Sequence, residues 1–131
     1  MGLPAALAGR LCAVAETQPA VRALYAFGSR QDGGAGPDAD LDLGVLYTEP
    51  RRLETTLRLE ELLDRVSPYA VDLVDVSRAS AFLALAVVRG DRLFTRHPLE
   101  ADRFELYVLR RAGDLLPFER ERRAMLLSPR R

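Results

Sequence analysis

The sequence predicts a single α/β domain with a short mixed sheet flanked by helices that pack mainly on one of its faces. Apolar stretches of strand length alternate with stretches of helical periodicity along the chain. The 131 residues are enough for one core of ordinary size. With 48% apolar and 29% charged residues, the composition is that of a globular protein. We therefore treat residues 1–131 as one domain.

The first half of the chain contains two helical and two strand patterns. Leu7, Leu11 and Val14 repeat at helical spacing, and Leu59 and Leu63 do so in a second, amphipathic stretch. Between them lie two apolar runs separated by a glycine-rich loop, which is typical of strands. The predicted elements are helix 4–17, strand 21–27, strand 40–47 and helix 51–66.

The second half continues the alternation. Small apolar residues closed by Gly90 predict a buried helix, and the last helix carries Phe104, Tyr107 and Val108 on one face. We expect Pro117 to break or kink this last helix, because proline removes a hydrogen bond and clashes with the preceding turn. The predicted elements are strand 69–76, helix 79–89, short strand 92–95 and a helix from Leu99 into the C-terminal segment 99–131.

The stretch that points to function joins the first two strands. Gly28-Ser29 ends the first apolar run, and Asp40-Leu41-Asp42 begins the second. Strand alternation places Asp40 and Asp42 on one face, about 6–7 Å apart, so their oxygens can converge on one site. Carboxylate oxygens suit a hard cation such as Mg²⁺, which also binds phosphate oxygens. Glycine lets a ligand approach the backbone, and the serine adds a hydroxyl. These residues predict a metal-and-phosphate site.

A third carboxylate follows in the next predicted strand, residues 69–76. Alternation places Asp72 and Asp75 on opposite faces of that strand, so only one of them can face the site. The residues alone leave the choice open.

Gly28-Ser29, ten residues and then Asp40-x-Asp42 resemble the signature of the polymerase-β-like nucleotidyltransferase superfamily. In size the chain is similar to the minimal nucleotidyltransferases (MNT), which are typically antitoxins of HEPN-domain toxins, and it most resembles the MntA-type antitoxins. The resemblance covers residues 21–76, the expected catalytic core, and more loosely the C-terminal third.

The resemblance implies a role for each site residue. Asp40, Asp42 and Asp72 would be the catalytic residues and would hold two Mg²⁺ ions, with Asp72 selected over Asp75 and acting as general base. Gly28, Ser29 and Arg30 would bind the triphosphate of ATP. Asp75 would then be a helix N-cap or a surface residue. The chain departs from the family's usual GSxARG continuation, because Asp32 stands in place of its arginine, and Ala39 stands where serine is common.

The charge balance and the cysteine content indicate which kinds of partner the protein binds and in which cellular compartment it works. The 19 basic and 19 acidic residues cancel, so direct nucleic-acid binding is not expected. The chain has one cysteine, Cys12, and no apolar run of membrane-spanning length, which favours a cytoplasmic protein. We interpret Cys12 as a small core residue and His97 as a solvated loop residue. The arginines at 120, 122 and 123 form a solvated face or, alternatively, a docking site for a partner.

Three functional hypotheses follow from the resemblance. The first is an antitoxin that transfers AMP from ATP to a tyrosine of a HEPN ribonuclease toxin. The second is an antitoxin that acts by binding alone, which the acidic Asp32 would favour. The third is a small-molecule nucleotidyltransferase of the aminoglycoside-modifying kind, which usually carries a further helical domain.

Overall fold

The computed structural model describes residues 2–28, 36 and 39–127, with side chains described as far as residue 113. A short 3₁₀ helix, Val76–Arg78, follows the third strand. All eight predicted elements are present, and every predicted boundary lies within two residues of the observed one, apart from the end of the last helix, for which only the segment 99–131 was predicted. In chain order they are α1 Ala5–Glu16, β1 Val21–Phe27, β2 Leu41–Tyr47, α2 Leu53–Val66, β3 Val71–Asp75, α3 Ala81–Val88, β4 Asp91–Thr95 and α4 Pro98–Leu127.

The four strands form one mixed sheet in the order β3-β2-β1-β4. The central strand β1 is antiparallel to both β2 and β4, whereas β2 and β3 are parallel. The predicted short mixed sheet is confirmed. This order brings the end of β1 beside the start of β2, and the start of β2 beside the start of β3.

One face of the sheet, which we call the first face, is covered by α1 and α2. Large aliphatic side chains fill this layer: Leu11 and Leu63 from the helices meet Leu24, Leu41 and Leu43 from the strands, all of them fully buried. Burial of such side chains contributes about 1.5–3 kcal/mol each to the free energy of folding. This layer is the main apolar core.

The opposite or second face is covered by α3 and α4. Its layer contains four alanines, Ala23, Ala84, Ala101 and Ala112, together with larger side chains that include Tyr25, Phe27 and Leu46. The prediction that the helices lie mainly on one face is therefore wrong. Six of the seven residues of β1, and six of the seven of β2, are buried, and nearly continuous apolar runs of this kind are typical of strands covered on both faces.

The last helix, α4, runs from Pro98 to Leu127 without interruption. Pro117 therefore does not break it, and the alternative that Pro117 kinks the helix stays a prediction. Within the described part of the chain, no helix is both long and apolar enough to cross a membrane.

Candidate active site

The candidate site begins where β1 ends beside β2. Phe27 is the register partner of Asp42. The next residue, Gly28, has a φ of +78°, which side chains rarely tolerate. A Cβ atom built on Gly28 would collide with the Asp42 carboxylate and lie 3.3 Å from its Cγ atom. Glycine at this position therefore leaves room for the Asp42 carboxylate against the end of β1.

Asp72 is the register partner of Asp42 on the neighbouring parallel strand. Leu41, Leu43 and Leu73 belong to the first-face core, so alternation places Asp42 and Asp72 together on the second face. Neighbouring strands lie about 4.8 Å apart, which makes these carboxylates direct neighbours. Burial raises the pKa of Asp42 above its ordinary value, and the charge of Asp72 raises it further. The structure thus brings Asp72 beside Asp42, and its catalytic role stays a prediction.

Asp40 lies one residue before β2, which begins at Leu41 and not at residue 40. Its side chain is exposed, and its charge is the third cause that raises the pKa of Asp42. Over the described ranges, no three His, Cys, Asp or Glu side chains lie close enough together to hold a metal ion. The structure thus brings Asp42 and Asp72 together with Asp40 nearby, and a shared three-carboxylate metal site stays a prediction.

Two carboxylates of α2 hold β3 in place along the open edge of the sheet. The backbone N–H of Val71 donates to Asp64 Oδ1 at 3.0 Å, and that of Leu73 donates to Glu60 Oε2 at 2.8 Å. These bonds satisfy donors that an edge strand otherwise leaves unpaired. They flank Asp72 on both sides along the chain and help to fix its position opposite Asp42.

Asp75 does not face the site. Its Oδ1 accepts hydrogen bonds from the backbone N–H and the hydroxyl of Ser77 at 3.1 and 2.8 Å, and so caps the 3₁₀ helix. Its Oδ2 lies 3.7 Å from Nε of Arg78. The prediction that Asp75 is a helix N-cap is confirmed. Strand alternation accounts for its position on the face opposite to Asp72.

Comparison with known proteins identifies the family. The sequence profile of the family described as polymerase beta, nucleotidyltransferase matches residues 10–98, which is more than half of the chain. The chain belongs to this family. The predicted superfamily is therefore confirmed, and the matched segment contains every predicted site residue. No curated protein matches the sequence closely.

Solved structures share the nucleotidyltransferase fold over nearly the whole chain. A toxin-antitoxin crystal structure with AMP-PNP matches with a TM-score of 0.75 and 23% identity, over 95% of this chain and 98% of that one. The toxin-antitoxin MntA-HepT matches at 0.72 and 21%, over 98% and 100%. A complex of tri-AMPylated Shewanella oneidensis HEPN toxin with an MNT antitoxin matches at 0.70 and 22%, over 96% and 98%. These likenesses confirm the polymerase-β-like fold.

The carboxylates of this nucleotidyltransferase fit a magnesium site. Mg²⁺ is commonly held by one or two carboxylates, and waters and substrate phosphates complete its shell. The register pair Asp42 and Asp72 supplies two carboxylates whose repulsion a cation would relieve. Because Gly28 has no side chain, the Asp42 carboxylate can occupy the space next to it. Asp42 and Asp72 would hold the ion, and the participation of Asp40 stays a prediction.

Five further residues were singled out in the sequence, namely Ser29, Arg30, Asp32, His97 and Cys12. Ser29, Arg30 and Asp32 lie outside the described residues. His97 is exposed and its carbonyl accepts the first backbone bonds of α4, which agrees with a solvated loop residue. Cys12 is half-buried, its thiol donates to the Leu93 carbonyl at 2.8 Å, and burial raises its pKa, all of which describe an unreactive thiol.

Sequence analysis missed a polar cluster on the second face, which we call the Tyr25 cluster: Tyr25, Arg92, Asp102 and Glu105. The hydroxyl of Tyr25, which is fully buried, donates to Glu105 Oε2 at 2.7 Å. Nη1 of Arg92 donates to the same oxygen at 2.8 Å and to Asp102 Oδ1 at 2.7 Å. One signal was available, because Glu105 lies on the helical stripe of Ala101 and Val108, where a carboxylate needs partners.

Proposed function

We propose that this protein is the antitoxin of a HEPN/MNT toxin–antitoxin pair and transfers AMP from ATP to a tyrosine hydroxyl of its toxin. The observation that carries the proposal is the register pair of Asp42 and Asp72 with Gly28 against it. Carboxylates placed side by side repel one another, so a structure that keeps them together favours a bound cation. The solved structures with this fold support the choice of nucleotide and partner, since they include a complex with AMP-PNP and one with an AMPylated HEPN toxin.

The transfer itself is a substitution at the α-phosphorus of ATP. The acceptor oxygen forms a bond to this phosphorus, the bond between the α-phosphorus and the bridging oxygen breaks, and pyrophosphate leaves. Asp40, Asp42 and Asp72 would hold two Mg²⁺ ions, whose positive charge would offset the negative charge that develops during the transfer. Asp72 would also accept the proton of the acceptor hydroxyl. Gly28, Ser29 and Arg30 would bind the β- and γ-phosphates.

We place the toxin on the outer face of α4. Among the described side chains of this helix, which end at residue 113, four large apolar ones are exposed, namely Leu99, Leu106, Tyr107 and Leu109, and the exposed fraction of Leu99 reaches 72%. Exposed apolar surface of this kind marks interaction sites. The arginines at 120, 122 and 123, the other predicted docking residues, lie outside the described side chains. Residues 1–131 act in this proposal as one catalytic unit in the cytoplasm.

Intact-mass spectrometry of the toxin tests the proposal. The protein, its genomic neighbour, ATP and Mg²⁺ are incubated together, and we expect the toxin to gain whole AMP units. Asp42→Asn should yield no modified toxin, because it removes one metal-binding carboxylate and keeps the side-chain size. Asp75→Asn is the matched control, since Asp75 lies on the other face, and should leave the transfer intact.

A binding-only antitoxin is the alternative that the same experiment decides. It is favoured by one observation, the acidic Asp32 at the position where the family has arginine in its triphosphate-binding loop. An unmodified toxin that is nonetheless inhibited would refute AMP transfer and support this alternative. Size-exclusion chromatography of the co-expressed pair should show a stable hetero-complex in either case. A chain that stays monomeric beside its neighbour would contradict both.

A further inference from the structure

The Tyr25 cluster joins three elements across the second face of the sheet. Tyr25 comes from the central strand β1, Arg92 from the edge strand β4, and Glu105 and Asp102 from the first turns of α4. Glu105 accepts from both the tyrosine and the arginine, so it links the two strands to the helix. Burial raises the pKa of Tyr25 far above its ordinary value, as does the bond to Glu105, and the hydroxyl therefore stays a donor at physiological pH.

The surrounding packing makes this cluster important for the position of α4. The helix contacts the second face mainly through Ala101, Val108 and Ala112, which meet Ala23 and Ala84 in the same layer, and through one large side chain, the partly buried Phe104. Small side chains make a smooth contact that specifies the position of a helix less strictly than interlocking large ones. Hydrogen bonds to a carboxylate, in contrast, are directional and short. The cluster therefore supplies the directional contacts of this interface, together with an ion pair of 2.9 Å between Arg22 and Glu100.

The cluster also lies close to the candidate site along β1. Tyr25 precedes Phe27 by two residues and points to the same face, and Phe27 is the register partner of Asp42. The strand ends at Phe27, and a Cβ atom on the next residue, Gly28, would collide with the Asp42 carboxylate. The position of α4 is thus tied to the strand that leads to the site glycine. Helical spacing places Leu99 and Leu106, two exposed apolar residues of α4, on the side of the helix away from Ala101 and Val108.

We propose that the Tyr25 hydroxyl is a positioning group for AMP transfer, because through Glu105 it holds α4, and the partner docked on it, at a fixed distance from Asp42. The proposal rests on the proposed function, since it requires an acceptor presented by a protein on α4. In-line transfer depends on the reacting atoms being closely placed, and a misplacement of about 1 Å can cost on the order of a hundred-fold in rate. Loss of one directional contact should therefore affect the rate more than the binding.

A pair of matched tyrosine variants tests the proposal. Tyr25→Phe removes the hydroxyl of the cluster, and Tyr47→Phe removes a hydroxyl that lies 2.9 Å from Thr56 Oγ1 on the first face. Both tyrosines are buried, and each hydroxyl bonds one helical side chain. We expect similar small decreases in Tm. Only Tyr25→Phe should lower kcat for AMP transfer, by roughly ten- to a hundred-fold, with the Kd for the partner and the KM for ATP unchanged.

Each other result overturns the proposal. Equal losses of kcat in the two variants would mean that the hydroxyl acts only through stability. An unchanged kcat in Tyr25→Phe, or a weakened Kd with normal kcat, would exclude a positioning role. If the unmodified protein transfers no AMP, the proposed function itself fails and this proposal fails with it. Hydrogen exchange gives a readout independent of activity, because backbone amides of residues 98–113 should exchange faster in Tyr25→Phe and not in Tyr47→Phe.

Discussion

The two faces of the sheet are covered by different kinds of side chain. The first face is filled by leucines from α1 and α2. The second face combines alanines with larger apolar side chains, and it also carries the charged Tyr25 cluster and the paired carboxylates of Asp42 and Asp72. Each side of the same central strand β1 thus meets a different environment, since Leu24 and Ala26 face the leucines and Tyr25 and Phe27 face the alanines.

This difference indicates that the first face mainly stabilises the fold and that the second face carries the groups for the chemistry. Aliphatic packing supplies most of the stability of a fold. Charged groups and their hydrogen bonds add less net stability but prescribe distance and direction. A sheet covered on both faces can therefore use its first face to stay folded and its second face to position reacting groups. The following predictions test that division of roles, beginning with the largest effect.

Asp72→Ala and Asp75→Ala compare the two faces within one strand. The first should reduce AMP transfer by on the order of a hundred-fold or more, because it removes a charged group from the site. The second should leave transfer unchanged and lower the free energy of unfolding by about 1 kcal/mol through loss of the cap. Transfer assays and urea unfolding of both variants measure the contrast. The reverse pattern would show that Asp75 and not Asp72 serves the site.

Leu63→Ala tests the role of the first face. Leu63 is fully buried between α2 and the sheet, and truncation of such a leucine lowers the free energy of unfolding by about 2–5 kcal/mol. The transfer rate per folded molecule should not change. Leu57→Ala, on the same helix but 51% exposed, is the control and should cost about 0.5 kcal/mol or less. Equal costs in urea unfolding would contradict the layered core.

Gly28→Ala should disturb both stability and the site, but less strongly than the loss of a core leucine. The positive φ costs about 1–2 kcal/mol for a residue with a side chain, and the new Cβ displaces the Asp42 carboxylate. Thermal unfolding and transfer assays should both show a loss. Gly9→Ala is the control, since its Cβ would meet nothing within 4 Å in α1 and alanine favours helix. A neutral Gly28→Ala would exclude the close approach to Asp42.

The smallest expected effect is the contribution of Asp42 to the pH dependence of the free energy of unfolding in the absence of metal. The folded state raises the pKa of Asp42 above its ordinary value of 3.8, so the folded protein binds this proton more tightly than the unfolded chain. The contribution to the free energy of unfolding is therefore favourable at low pH and is lost as pH rises through the raised pKa. Asp42→Asn should consequently be more stable than the unmodified protein at pH 7.

Urea unfolding with EDTA, at pH values from about 3 to 8, measures this difference between the two proteins. The stability gain of Asp42→Asn should shrink towards low pH, where the carboxyl group is neutral in both states. Added Mg²⁺ should stabilise the unmodified protein more than the variant, because the ion binds the folded carboxylates. A gain that is constant across pH would contradict the raised pKa of Asp42.

Local patterns in the sequence were sufficient for much of this protein. Strand and helix periodicities depend on neighbouring residues only, and they located the start of all eight elements to within two residues. The same alternation was enough to place Asp72 and Asp75 on opposite faces of their strand. The spacing of Gly28-Ser29 and Asp40-x-Asp42 identified the family, since it reports the length of the loop between two adjacent strands. The roles of Ser29 and Arg30 in binding a nucleotide stay predictions.

Tertiary structure alone decided how the helices are distributed and what holds α4. Periodicity shows that a helix has an apolar face, but not which side of a sheet that face will cover. The sequence did not reveal the Tyr25 cluster either, because Tyr25 and Glu105 are 80 residues apart in the chain. The two side chains meet only when α4 folds back over β1. The sequence can show that a carboxylate on the apolar stripe of a helix, such as Glu105, needs a polar partner. Only the packed fold determines which side chain that partner is.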